Sequence, residues 1–298
     1  MASERTIGGV ITAMVTPFAA DGSIDLEAGR RMARHLVDHG SHGLVVAGTT
    51  GESPTLSDTE KLRLLEAVLD EVGDRATVIA GTGSNDTHHS VELTGKASRA
   101  GAHAALVVTP YYNKPNRAGL RAHFAAVAEA ASDTPIVLYN IPSRTVINLE
   151  PDFLAELARE IPNVVAVKQA NNDDLAPVEG LRLLAGNDEI FLRTLELGGA
   201  GGILVASHLV GAEMRAVFDA HREGDAERAT RLNAELAPIY EALTVTSNPI
   251  PVKTALELLG LIDADLRLPM VAASDDEREA IRGALDRQGL LVAGGAQS

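Results

Sequence analysis

A short apolar run followed by a helix-patterned stretch recurs along this chain from residue 10 to about residue 225. No other feature narrows the fold as much. The runs are VITAMVTP (10–17), GLVVAGTT (43–50), ATVIAGTG (76–83), AALVVTPYY (104–112), TPIVLYNIP (134–142), VVAVKQA (164–170), the weaker RLLAG (182–186) and GILVAS (202–207). Each is apolar at both odd and even positions, as a parallel strand covered on both faces requires. Strand and helix patterns alternate eight times, so the chain reads as an α/β protein, a (β/α)8 TIM barrel, rather than an open doubly wound sheet. Gly40 and Gly101 stand where helices should stop. Ser57 with Glu60, and Ser274 with Glu277, have capping-box spacing, in which each side chain takes the other residue's free backbone N–H. Beyond residue 225 the strand signals cease, and helical patterns cover about 226–243, 250–260 and 275–288. The expected division is a catalytic barrel over 1–225 and a small C-terminal helical region over 226–298.

Composition narrows the function. With 26 Lys+Arg against 41 Asp+Glu, the net charge of −15 disfavours nucleic acid and anionic membranes as partners. It leaves room for small anionic substrates where a pocket carries its own positive charge. The chain has no cysteine, hence no disulfide framework or thiolate metal site. No stretch reaches the roughly 18 apolar residues of a membrane span. RTIGGVITAMV loosely resembles a leader peptide but reads better as a first strand closed by Pro17, so a cytoplasmic protein is expected.

Barrel enzymes build their sites at the C-terminal ends of the strands. The ends here carry GTTGES (48–53), TPYYNKP, YNIPSRT, Lys168 and, leading into the eighth strand, GGAGG (198–202). A lysine closing an apolar strand has two readings. It surfaces there, or it is held in the barrel mouth as an amine nucleophile. Three of the four tyrosines, Tyr111, Tyr112 and Tyr139, lie at these ends. They are proton carriers near the lysine or amphipathic plugs of the mouth. GTTGES has the glycines and hydroxyls of an anion-binding turn, and Arg144 has a fork suited to a carboxylate or to a surface ion pair. Other features are decoys. GTGSND (81–86) lacks the third glycine of a dinucleotide fingerprint, and GGAGG reads as a tight strand entry. His35, His39 and His42 lack a zinc motif, and Asp173–Asp174 and Asp275–Asp276 read as helix N-termini.

In this order, TAMVTPF, GTTGES, VIAGTG, VTPYYNKP, LYNIPSRT, VKQA, LGGAGG, NPIPVK (248–253) and LRLPM (266–270) resemble the dihydrodipicolinate synthase family of Schiff-base aldolases over nearly the whole chain. The resemblance implies that Lys168 forms an imine with pyruvate. Tyr139 would move protons beside it, and Thr49 and Tyr112 would extend a hydroxyl relay, Tyr112 crossing from a neighbouring subunit. Thr50 would hold the pyruvate carboxylate, Arg144 the carboxylate of aspartate semialdehyde, and Gly186 and Ile203 would line the pocket. It implies no metal or separate cofactor, and a homotetramer built as a dimer of dimers. Sister aldolases acting on N-acetylneuraminate or keto-deoxy sugar acids share the scaffold, and a silent keto-acid-binding paralogue is the non-enzymatic alternative. Arg144 favours a small acidic aldehyde.

The chain departs from the family pattern in places. Gln169-Ala170-Asn171 follows the lysine, with alternation aiming Gln169 at the helix layer, and AGND (185–188) replaces a commoner SGDD. At the family's regulatory lysine site, Ser53, Asn85 and Tyr111 match. Asp58 and Lys61 replace histidines, however, and His89 replaces a glutamate, so weak or absent inhibition by lysine is expected.

Overall fold

The computed structural model describes residues 7–291. Eight parallel strands close into a barrel in chain order. They are β1 (Gly9–Ala13), β2 (Gly43–Val46), β3 (Thr77–Gly81), β4 (Ala104–Val108), β5 (Ile136–Asn140), β6 (Val164–Gln169), β7 (Arg182–Ala185) and β8 (Gly201–Leu204). The helices are α1 (Leu26–Asp38), α2 (Asp58–Val72), α3 (Thr87–Arg99), α4 (Arg117–Glu129), α5 (Pro142–Thr145), α6 (Pro151–Glu160), α7 (Phe191–Glu196) and α8 (Gly211–Arg222). The C-terminal extension adds α9 (Ala226–Glu235), α10 (Ala237–Ala242), α11 (Ile250–Leu258) and α12 (Asp275–Arg287).

The two parities of each strand go to different cores, which is why the runs are apolar throughout. Ile11, Val45, Ile79, Val137 and Leu184 fill the barrel interior. Their strand neighbours Val10, Leu44 and Val78 pack outward against the helices of one half, and Val107, Leu138 and Val167 against those of the other. Both capping boxes form, at the starts of α2 and α12.

The strands are shorter than the apolar runs, because the run ends leave the sheet as loops. After β4 the chain turns out at Pro110, which has no N–H to give a ladder. The alternation also breaks at the sixth unit. Between β6 and β7 there is a 3-10 turn (Asn172–Asp174) and a bridge from Val178 to Leu181, with no α-helix. Pro177 bars its predecessor from helical geometry, and Gly180, at φ +82°, turns the chain back. Asp173 and Asp174 therefore sit in that turn rather than opening a helix. The expected helix over 226–243 is two, because Pro238 begins α10. GGAGG is a packing device: Gly201 has φ +148°, and a Cβ there would stand 2.1 Å from the Gly9 carbonyl oxygen.

The extension is tied to the barrel by a buried ion pair. Lys253 of α11 places Nζ 2.6 Å from Glu52 Oε1 and 2.7 Å from the Asp265 carbonyl, and lies 4.2 Å from the Phe18 ring centre. The other Glu52 oxygen accepts the Arg267 backbone N–H at 3.0 Å. Arg267 lies over Phe18 at 4.6 Å and pairs with Glu60, whose carboxyl its hydrogen bond pulls down to about 2.

Two buried histidines make the fold acid-sensitive. His208 Nε2 accepts the Val15 N–H, Nδ1 bonds the Val205 carbonyl, and burial pushes its pKa down to about 4. His123, bonded to Thr87 and with Nε2 unpartnered, is also pushed down to about 4 by burial. An unfolded histidine takes its proton near 6.5, so between about 6.5 and 4 the unfolded chain binds more protons and stability falls with pH. Each histidine withdraws up to about 3 kcal/mol over that window. Asp188, raised to about 6 chiefly by burial, opposes this because its native form holds a proton more readily than the unfolded one. Two histidines outweigh one aspartate. The melting temperature followed by circular dichroism is expected to drop steadily below about pH 6.5; a flat profile to about pH 4.5 would contradict this.

Candidate active site

Lys168 does not surface. It pairs in register with Tyr139 on β5 and Leu184 on β7, faces the barrel interior, and is 5% exposed. Its Nζ stands 4.3 Å from the centre of the Tyr139 ring, itself 4% exposed. Among the described residues Nζ makes no hydrogen bond or ion pair, which leaves the amine open toward the mouth. Gln169, one residue on, points the other way. Its Oε1 accepts Asn140 Nδ2 at 3.0 Å and the Asn171 N–H, in a polar cluster behind the barrel wall.

Thr49, Tyr139 and Arg144 line one cleft of about 360 Å³ over the mouth. Thr50 is buried beside it, and its Oγ1 accepts Asn248 Nδ2 at 3.0 Å. Arg144, on the short α5, is exposed, and its Nη2 donates to the Asn248 carbonyl at 3.3 Å. Asn248, just before α11, thus touches both candidate carboxylate-binding residues, a link the linear sequence does not reveal. Ile203 is fully buried in the barrel interior opposite Ile11. Gly186 donates its N–H to the Gln169 carbonyl at 2.7 Å, and an added Cβ there would clash with that oxygen and with Ala170.

The regulatory candidates Ser53, Asn85, His89 and Tyr111 line the same cleft. His89 Nε2 lies 2.7 Å from Asp58 Oδ1, and its Nδ1 is 3.3 Å from Ser84 Oγ. Lys61 joins the lining, and burial holds its ammonium below the usual lysine range. Tyr112 is the one relay candidate outside the group. It adopts φ +71° and is 87% exposed, directed away from its own chain.

His42 Nδ1 accepts the Val10 N–H, while the His35 and His39 rings stack 4.1 Å apart. Among the described residues no group of three or more histidine or acidic side chains is placed to hold a metal. No helix among them is long and apolar enough to cross a membrane. Sequence reasoning passed over Asp188. It lies just past β7, is nine-tenths buried, and its Oδ1 accepts the N–H groups of Val205 and Ala206 at 2.9 and 3.1 Å. The available signal was an acidic residue at a barrel strand end.

A closed parallel barrel with a buried lysine and a phenol at its C-terminal mouth, the end where barrel enzymes carry their sites, defines a class: the TIM-barrel enzymes. The chain matches the Dihydrodipicolinate synthetase family over residues 6–288 and belongs to it. A 4-hydroxy-tetrahydrodipicolinate synthase of Symbiobacterium thermophilum is 48% identical over 292 residues, covering 96% of this chain and 99% of the relative. The enzyme of that name from Moorella thermoacetica is 49% identical, with 95% and 99% covered. Among solved structures, DHDPS from Cyanidioschyzon merolae with lysine bound superposes with a TM-score of 0.92 at 40% identity, covering 95% of this chain and 99% of that one. A monomeric dihydrodipicolinate synthase variant gives 0.91 at 38% identity, with 95% and 97% covered.

Proposed function

We propose that this enzyme condenses pyruvate with aspartate semialdehyde, through an imine on Lys168, to give 4-hydroxy-tetrahydrodipicolinate for diaminopimelate and lysine biosynthesis. The carrying observation is the burial of Lys168 beside Tyr139 at the barrel mouth. Relatives 48–49% identical over nearly their whole length bear the synthase name.

Chemically, the Lys168 amine adds to the pyruvate ketone and expels water. The resulting iminium draws electrons from the adjacent methyl, which loses a proton to give an enamine. The enamine carbon attacks the aldehyde, regenerating the iminium; the amino group carried by the aspartate semialdehyde part then adds to the iminium carbon and expels the Lys168 amine, closing the ring of the product. Each step moves a proton without a free ion in the apolar mouth, a task suited to linked hydroxyls. In this reading the task falls to Tyr139 and Thr49, with Tyr112 completing the relay across a subunit boundary. The Thr50 turn holds the pyruvate carboxylate, Arg144 that of the aldehyde, and Gly186 and Ile203 bound the pocket. The reading includes a homotetramer built as a dimer of dimers, working in the cytoplasm; the exposure of Tyr112 supports contact with a second copy of the chain. Reduction with borohydride in the presence of pyruvate tests the reading. A stable adduct mapped to Lys168 is expected; absence of an adduct on folded protein would refute it.

Feedback by lysine is expected to be weak. A bound lysine would bring its ammonium against Lys61, and His89 supplies no carboxylate to receive it. Initial rates with increasing L-lysine at neutral pH are expected to stay flat; half-inhibition below about 1 mM, a tight-effector range, would refute this.

A further inference from the structure

A threonine hydroxyl has one hydrogen to give and lone pairs with which to receive, and it rotates to suit its neighbours. Two hydroxyls around the turn after β2 spend that hydrogen on the turn's own carbonyls. Thr16 Oγ1 donates to the Gly51 carbonyl at 2.7 Å, and Thr55 Oγ1 to the Glu52 carbonyl at 3.0 Å. Thr50, in the same turn and 2% exposed, does the reverse. Its Oγ1 accepts Asn248 Nδ2 at 3.0 Å and, among the described residues, donates to nothing. Its hydrogen is unspent. The donor comes from 198 positions further along the chain, just before α11. From the same segment Lys253 grips Glu52 at 2.6 Å, so the turn is held at two points. The backbone carbonyl of Asn248 has a separate task, accepting Arg144 Nη2 at 3.3 Å.

We infer that Asn248 is a positioning residue for pyruvate: its amide holds Thr50 Oγ1 as an acceptor and so keeps the Thr50 hydrogen for the pyruvate carboxylate. The inference rests on the reading above in which Thr50 holds that carboxylate. The contacts then run in one direction, from the Asn248 N–H to the Thr50 oxygen and from the Thr50 O–H to a carboxylate oxygen. Each bond polarises the next, so a hydroxyl that is accepting donates more strongly. The carboxylate meets a donor that is already set, rather than one that must first be turned away from a carbonyl. Without the amide, the Thr50 hydroxyl is free to close on its own turn, as Thr16 and Thr55 do. Asn248 need not touch pyruvate or Lys168; it acts through Thr50.

The backbone contact to Arg144 supplies an internal control, because Asn248→Ala removes the amide and keeps the carbonyl that Arg144 uses. The measurement is the KM for each substrate, with the other saturating, in Thr50→Val, Asn248→Ala and the double variant. Thr50→Val comes first, and a pyruvate KM unchanged in it refutes the Thr50 reading itself. With that reading standing, Asn248→Ala raises the KM for pyruvate roughly tenfold, the weight of one hydrogen bond to a charged group. The KM for aspartate semialdehyde changes less than about twofold. In the Thr50→Val background the second substitution adds less than about twofold, because the hydroxyl it acts on is gone. A pyruvate KM within about twofold of wild type in Asn248→Ala overturns the inference. So do effects that multiply in the double variant, and so does an equal rise in both KM values, which is what general loosening of the mouth would give. If Asn248→Ala does not fold, Asn248→Ser, too short to reach Thr50, carries the same expectations.

Discussion

Lys168→Ala is expected to lower kcat/KM by roughly 10⁴-fold or more while leaving the circular dichroism spectrum unchanged. The size follows from chemistry. Without the amine there is no imine, and pyruvate in water has no comparable electron sink for loss of its methyl proton. The unchanged fold follows from packing. Lys168 makes no hydrogen bond or ion pair among the described residues, and its strand is held by backbone ladders to Tyr139 and Leu184 that an alanine keeps. A variant with more than about a hundredth of wild-type activity would mean that the lysine is not the nucleophile.

The second large effect concerns stability. Lys253→Met removes one member of the buried pair and leaves the Glu52 carboxylate with the Arg267 backbone N–H as its remaining hydrogen bond. Loss of one partner from such a pair typically costs about 3–5 kcal/mol, which in a chain of this size lowers the melting temperature by roughly 10 °C. Adding Glu52→Gln is expected to recover much of that loss, because the stranded charge is then gone. Glu52 also holds a left-handed turn at φ +55°, two residues after Thr50. The KM for pyruvate should therefore rise in Lys253→Met even at temperatures where the protein stays folded. A melting temperature within about 2 °C of wild type would show that the pair does not hold the extension to the barrel.

The barrel was legible because parallel strands buried on both faces leave a mark that few other elements leave. Alternation placed Gln169 toward the helix layer, where it bonds Asn140, whereas the residues alone left two readings for Lys168 that its burial decides. The helix missing between β6 and β7 was written in Pro177 and Gly180, but the eightfold rhythm hid it. The site was legible only at its strand ends. Asn248 and the Glu52–Lys253 pair escaped because each acts on residues far away in the chain. Lys253 lies 201 positions from Glu52, and Asn248 lies 198 from Thr50. NPIPVK and LRLPM served as marks of resemblance before the structure gave them a physical role. Their charged members, Lys253 and Arg267, anchor the turn that carries Thr49 and Thr50.

The most direct test of the central claim is a coupled assay of the purified enzyme with pyruvate and aspartate semialdehyde. The downstream reductase is added and NADPH oxidation is followed. Turnover that requires both substrates and vanishes in Lys168→Ala is the predicted result. No turnover by folded wild-type protein, with pyruvate still trapped on Lys168, would contradict it and reassign the barrel to a different acceptor aldehyde.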